Sequence, residues 1–237
     1  MKKWLLILSV FMVAGFAGCR SDSSDYTVQI DPADFVAGID NPYFPRTPGT
    51  RYVYEGQTSE GLERVEVEVL AETRQVMGVT ATVIRDTVYL DGVLVEDTRD
   101  WYAQAKDGNV WYFGEEVDNY ENGVLANHDG SWEAGVDGAL PGIYMYADPA
   151  GQIGQTYRQE YYAGEAEDMA TILSVTEQVT VPYGFYENVL QTLDFTPLEP
   201  GVEEHKFYAL GIGEIKAVNV NSGAEFVLVE FVPAGTP

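Results

Sequence analysis

Apolar and polar residues alternate most cleanly between Arg64 and Ala71. Val65, Val67, Val69 and Ala71 fall on one side and Arg64, Glu66 and Glu68 on the other. A period of two with one wet face is the pattern of a half-buried antiparallel strand. Arg51 to Glu55 reads as the strand before it. The next strand, Thr80 to Leu90, loses the alternation at Arg85-Asp86, which predicts a bulge or a polar contact there. Val93 to Ala105 and Asn109 to Val117 predict a hairpin rich in aromatics: Trp101, Tyr102, Trp111, Tyr112 and Phe113. In Leu173 to Val181 the odd positions Leu173, Val175, Val179 and Val181 share a face with Glu177, so parity places that carboxylate among apolar neighbours. Gln155 to Tyr162, Asn188 to Phe195, Glu204 to Ala209, Glu214 to Val220 and Glu225 to Val232 supply the remaining strands. The last is apolar on both faces and is therefore expected at the centre of a sheet.

The reversals between these strands are written in turn chemistry. Asp91-Gly92, Asp107-Gly108 and Asn122-Gly123 stand 16 and then 15 residues apart. Each dipeptide supplies the positive φ angles of a two-residue type I′ turn, whose twist matches that of the strands it joins. The spacing leaves roughly a dozen residues per strand, about twice the usual length. The fold class is all-β: one strongly curved antiparallel meander, a half-barrel or open barrel, with short helices at most. Asp31-Pro32 is a helix start with an Asp cap and Pro in the first turn. Asn41 to Gly49 is too rich in Pro for a central strand, and its Tyr43 and Phe44 are expected to plug one end of the core. Gly130, Gly135, Gly138, Gly142, Pro141 and Pro149 interrupt residues 127 to 148, which read as a long flap loop of the kind that often carries function. Residues 31 to 237 are expected to form a single domain.

The N-terminus bears on compartment. Met1-Lys2-Lys3 followed by an apolar run from Trp4 to Phe16 has the shape of a secretory leader and is short for a membrane-spanning helix. It ends in Phe16-Ala17-Gly18-Cys19, which resembles the lipobox of bacterial lipoproteins, with Phe16 in place of the usual Leu. That resemblance implies removal of residues 1 to 18, acylation of Cys19 (palmitate among the acyl chains), and a location in the bacterial cell envelope, anchored to a membrane. Cys19 is the only cysteine, and a lone Cys cannot make an intramolecular disulfide. Arg20 to Asp25 is small and polar, and residues 19 to 30 read as the lipidated Cys with a flexible tether.

The formal charge of −25 repels phosphate backbones and makes nucleic acid an unsuitable partner. The acidity reads either as a solvated surface or as a means of cation capture.

Several motifs together resemble a group of bacterial lipoproteins of unassigned function: Asn41-Pro42-Tyr43-Phe44-Pro45, Asp100-Trp101-Tyr102-Ala103-Gln104, Asp107 to Gly114, Ser131-Trp132-Glu133-Ala134-Gly135 and Thr196-Pro197-Leu198-Glu199-Pro200. The closing strands are also similar to envelope lipoproteins with the curved half-barrel of lipoprotein carriers. These likenesses imply a compartment and a fold, and they name no catalytic residue.

Candidate chemistry is sparse. His128, Asp129, Glu133 and His205 have the ligand types of a transition-metal site, but no HExxH spacing ties them together. Calcium would find oxygens at Asp118 to Asn122 and Asp129 to Glu133, without the spacing of an EF-hand loop. Glu133 and Glu177 are the two carboxylates to test for a glycoside-hydrolase-like acid and base. Neither a nucleophile elbow nor a phosphate-cradling loop is present. Trp101, Trp111, Tyr112, Trp132, Tyr144 and Tyr146 could wall a site for an apolar or glycan ligand, or pack as core. The functional expectation is a lipid-anchored, non-enzymatic binder of such a ligand or of an envelope protein partner. The alternatives are an acidic-site hydrolase and a structural or assembly lipoprotein.

Overall fold

The computed structural model describes residues 26–236. The leader, Cys19 and the first residues of the tether lie outside them. The strands are β1 (Arg51–Gln57), β2 (Leu62–Val76), β3 (Val79–Leu90), β4 (Val93–Gln104), β5 (Val110–Glu121), β6 (Val124–Asn127), β7 (Trp132–Glu133), β8 (Leu140–Met145), β9 (Thr156–Arg158), β10 (Glu160–Tyr161), β11 (Met169–Val181), β12 (Gly184–Phe195), β13 (Glu203–Ala209), β14 (Gly213–Asn219) and β15 (Glu225–Val232). They form one sheet of 15 strands in the order β10-β8-β5-β4-β3-β2-β1-β15-β14-β13-β12-β11-β9, with β6 and β7 also paired to β5. Two meanders, β1 to β5 and β11 to β15, meet where β1 pairs with β15. The placement of Glu225–Val232 at the middle of the order agrees with its apolar residues on both faces. Among the described residues no helix is long and apolar enough to cross a membrane.

The sheet is strongly curved and is not closed into a barrel by a continuous ladder. Its two ends meet at one short stretch. Thr156–Arg158 pairs with β11 on one side, and after Gln159 the chain crosses over so that Glu160–Tyr161 pairs with β8 on the other. The curl brings distant strands face to face, so Tyr144 of β8 meets Tyr208 of β13 across the interior. The excursion after β6 is stitched to the sheet, since β7 and β8 both return to pair with β5.

The long strands are as expected, with β3, β4 and β5 each 12 residues. Asp91 and Asn122 sit at φ 49° and 52°, each followed by a Gly of positive φ, as a type I′ hairpin needs. Asp107-Gly108 differs from the expected two-residue turn. Gly108 N–H donates to Ala105 O and Ala105 N–H to Asn109 O. That pattern is a three-residue loop, a type I turn closed by a Gly bulge. At Arg85-Asp86 the ladder runs without a bulge, and the lost alternation marks a polar contact: Arg85 holds Asp97 through Nε at 2.8 Å.

Bulges defeat parity in β2 and β11. Leu70, Ala71 and Glu72 of β2 stand opposite Val83 alone, and Ala71 is pushed into solvent away from Val65, Val67 and Val69. In β11 an extra residue at Leu173 changes the register. Ala170 and Ile172 are buried before it and Val179 and Val181 after it, while Leu173 is exposed and Glu177 half-buried. The Asp31 cap is as expected: its side chain accepts from Ala33 N–H at the head of a 3-10 turn, Pro32–Asp34. Phe44 is buried in the core, and Tyr43 packs partly buried against it.

Candidate functional site

The interior of the curled sheet is lined by carboxyl and phenol groups as well as by aliphatic side chains. Pleating accounts for how they arrive. Ile84, Asp86 and Val88 have one parity on β3, and Asp100 and Tyr102 share one on β4, so each acid sits on the face its apolar neighbours bury. On β5 a bulge places Phe113 and Gly114 opposite Trp101. Tyr112 and Glu115, of opposite parity, therefore both face inward, against Tyr102 and Asp100 respectively. Glu63 and Glu96 join them from β2 and β4, and Glu160 from β10. The C-terminal meander contributes Asp194, Lys206 and Glu214.

The polar contacts among them are few. Tyr112 OH donates to Asp100 Oδ1 at 2.6 Å, and Thr98 Oγ1 donates to Glu96 Oε1 at 2.9 Å. Lys206 Nζ lies 3.4 Å from Asp194 Oδ2. Arg46, buried, donates through Nη1 to Pro45 O at 3.0 Å and Tyr52 OH at 3.1 Å, with its guanidinium 3.7 Å above the Phe44 ring. Among the described residues, no hydrogen-bond partner reaches Glu63 Oε1, Glu96 Oε2, Asp100 Oδ2, Glu115 Oε2, Glu160 Oε2 or Glu214 Oε1.

Desolvation therefore dominates the titration of this interior. Burial, reinforced by Glu96, Glu204 and Glu60, pushes the Glu63 carboxyl up to about 8. Burial raises Glu96 to about 7 against the opposing hydrogen bond from Thr98. Glu214 rises to about 7 because burial outweighs Lys206, and Glu204 does likewise. Asp86, Glu115 and Glu160 are driven well above the usual carboxylate range by burial, reinforced by the charge of Asp100 on Asp86 and Glu115 and of Asp168 on Glu160. For Lys206, burial works against the charge, but Asp194, Tyr144, Glu214 and Glu204 outweigh it and hold the ammonium protonated. At neutral pH Glu63, Asp86, Glu115 and Glu160 carry a proton, Glu96, Glu204 and Glu214 stand near their midpoints, and Asp100, raised by burial to about 6, is the more readily ionised.

At the centre is a cavity of about 20 Å³ lined by Phe44, Arg46, Tyr54, Val67, Ile84, Asp86, Tyr102, Tyr144 and Glu214. A volume of that size holds about one water, whereas pockets for drug-sized ligands run to roughly 300–1,000 Å³.

The residues proposed from sequence are scattered relative to this centre. Tyr144 lines the cavity, Tyr112 packs against Tyr144 with ring centroids 6.3 Å apart, and Trp132 meets the Tyr112 ring edge to face at 5.4 Å. Trp101 is buried on the reverse face of β4, where the Arg74 guanidinium lies 3.8 Å above its ring. Trp111 and Tyr146 are half-buried, the latter against Tyr157 at 4.8 Å. Glu133, on β7, accepts from Arg74 Nε at 3.0 Å, while Glu177 lies on β11, which does not pair with β7. His128 is exposed and sits 2.8 Å from Asp118, Asp129 is exposed beside it, and His205 lies on β13. Among the described residues no three His, Cys, Asp or Glu side chains converge as a metal ion would require.

The sequence reading passed over Asp86, Asp100, Glu115, Glu160 and Glu214. For Asp86 a signal existed, the shared parity with Ile84 and Val88. For Glu115 the bulge removes it.

Fold and interior together define a single-sheet, curled antiparallel β-domain with a protonated carboxyl lining. No family model matches the chain, and no curated protein is similar to it. Among solved structures it is similar to a candidate lipoprotein from Parabacteroides distasonis, at 14% identity and a TM-score of 0.40, with 81% of this chain and 99% of that one covered.

Proposed function

We propose that the chain is a lipoprotein of the bacterial cell envelope, held to a membrane by acyl chains on Cys19, whose β-domain works by binding an envelope protein and performs no chemistry. The anchor rests on the basic and apolar leader that ends in Phe16-Ala17-Gly18-Cys19, followed by a polar stretch that enters the domain at Tyr26. The choice of a protein partner over an apolar or glycan ligand rests on one observation. Of the aromatic side chains that would wall a ligand pocket, Tyr112, Trp132 and Tyr144 are buried in the core, where the cavity that Tyr144 lines is only about 20 Å³, and Trp101 faces the other side of β4 under Arg74. A ligand could reach Tyr112, Trp132 and Tyr144 only by displacing that packing. The outer surface is what the closed domain offers.

Two measurements test this. Mass spectrometry of membrane-extracted protein should find acyl chains on Cys19, and Cys19→Ala should leave the membrane fraction. A domain beginning at Tyr26 should keep its tryptophan fluorescence unchanged across a panel of lipids and glycans, while in-cell crosslinking of the full chain captures an envelope protein. A saturable fluorescence response to a glycan or lipid would turn the reading back toward an interior ligand.

A further inference from the structure

The stretch that joins the two ends of the sheet carries the shortest ladder on the path around it, that between β8 and β10. β9 is paired with β11 over three residues and β10 with β8 over two, and one of those two on β8 is Pro141, which has no N–H to give. By contrast, β2 and β3 stay paired from Glu63 and Leu90 to Val76 and Val79. Between the short ladders, at Gln159, the chain leaves one side of the sheet for the other. Gly142 of β8 makes that crossing possible: a Cβ there would collide with the backbone of Arg158 and Gln159.

Residues 26–30 lie across this crossing without joining any ladder. Tyr26, Val28 and Ile30 are half-buried, and Thr27 and Gln29 between them face solvent. Tyr26 OH donates to Pro141 O at 2.9 Å on the β8 side. Its ring meets Tyr161 of β10 edge to face at 5.6 Å, and the Arg158 guanidinium of β9 stands 5.8 Å from it. One side chain thus touches all three strands that make the closure. Further along, Ile30 packs on the core, and Lys106 N–H donates to Asp34 O, so the segment is fastened beyond the crossing as well.

We infer that residues 26–30 are a strap that holds residues 156–161 against β8, and that this closure is where the curled sheet opens. Backbone ladders this short, flanked by a residue without a donor, define a region that opens locally at lower cost than the long hairpins. The strap adds a hydrogen bond and ring contacts where the ladder supplies few. The protein would then have one route to its interior, and the end of the N-terminal segment would guard it.

Amide hydrogen exchange followed by mass spectrometry tests this on the chain from Arg20 onward, comparing wild type with Tyr26→Ala, Tyr26→Phe and Gly142→Ala. In wild type, peptides covering 140–145 and 156–161 should exchange faster than those covering 62–76 and 79–90. Tyr26→Ala should raise exchange in the first pair about tenfold and leave the second pair as it was. Tyr26→Phe, which keeps the ring and loses the hydrogen bond to Pro141, should fall between. Gly142→Ala wedges the crossing directly and should reproduce the open pattern. The strap is ruled out if Tyr26→Ala changes nothing at 156–161, or if it speeds every strand equally. The closure is ruled out as the opening point if 156–161 exchanges no faster than β2 and β3. Should Gly142→Ala fail to fold, the two Tyr26 variants decide alone.

Discussion

The two faces of β2 to β5 carry neighbouring residues of similar type in opposite circumstances. On the outer face Glu68, Arg85, Arg99 and Glu116 stand side by side across four strands. Arg85 binds Asp97, and Arg64 holds Glu55 at 2.7 Å and Glu66 at 2.9 Å. One residue away from Arg85, Arg99 and Glu116, the side chains of Asp86, Asp100 and Glu115 point inward, as does Glu63 beside Arg64. The charges outside are settled by partners and water. Those inside are settled by protons, because Arg46 and Lys206 are too few for the acids around them. Exposed ion pairs are worth little, whereas each inward acid ties the fold to pH.

The largest expected consequence is an inverted pH profile. The inward acids have folded values above their ordinary one near 4.5, so their contribution to stability is complete below that value and is lost as pH rises through about 7 to 8. A rise from 4.5 to about 7 in one group, as at Glu96, corresponds to on the order of 3 kcal/mol. Urea midpoints should be highest near pH 5 and fall steeply toward pH 9; a flat profile would remove the distinction between the faces.

Next in size is Lys206→Met, which strips the buried Asp194 of the ammonium beside it. Loss of one partner from a buried pair costs about 3–5 kcal/mol, to be read from urea unfolding at neutral pH. Smaller, and growing as pH rises from about 5 through about 8, is the effect of Glu63→Gln. Melting should match wild type at pH 5 and exceed it by a few degrees at pH 9, since the amide has no proton to lose; equal shifts at both pH values would mean a packing effect only. The smallest is Arg99→Ala on the outer face. Its pair with Glu72, at 3.8 Å, is exposed, so the change should stay within about 0.5 kcal/mol and show the same pH dependence as wild type.

The meander was legible in the sequence because its turns are chemical signals: Asp91-Gly92 and Asn122-Gly123 adopt the backbone their side chains favour. The hairpin between β2 and β3 turns at Met77-Gly78, with Met77 at φ 49°, and a methionine announces nothing about positive φ. Alternation located the strands, but each bulge ended its authority, as Leu173 and Glu115 demonstrate. The acids of the interior were hard to read because Asp and Glu are ordinarily exposed, so Asp86 looked like an interruption in a strand rather than a member of its buried face. The closure at Gln159 has no local signal at all. It depends on pairing with β8 and β11, which are distant partners in the fold.

The pairing of β1 with β15 bears on how the molecule is assembled. A chain delivered N-terminus first can build its early hairpins as they appear, yet the neighbour that β1 requires is the last strand to emerge. Until residue 232 is present, the two meanders have no shared edge and the carboxyl-lined interior has no second wall. Contacts at such sequence separation slow folding. Any truncation that removes Glu225–Val232 should leave two hairpin stacks joined only at the short crossing around Gln159, each with an open edge prone to pairing with another chain.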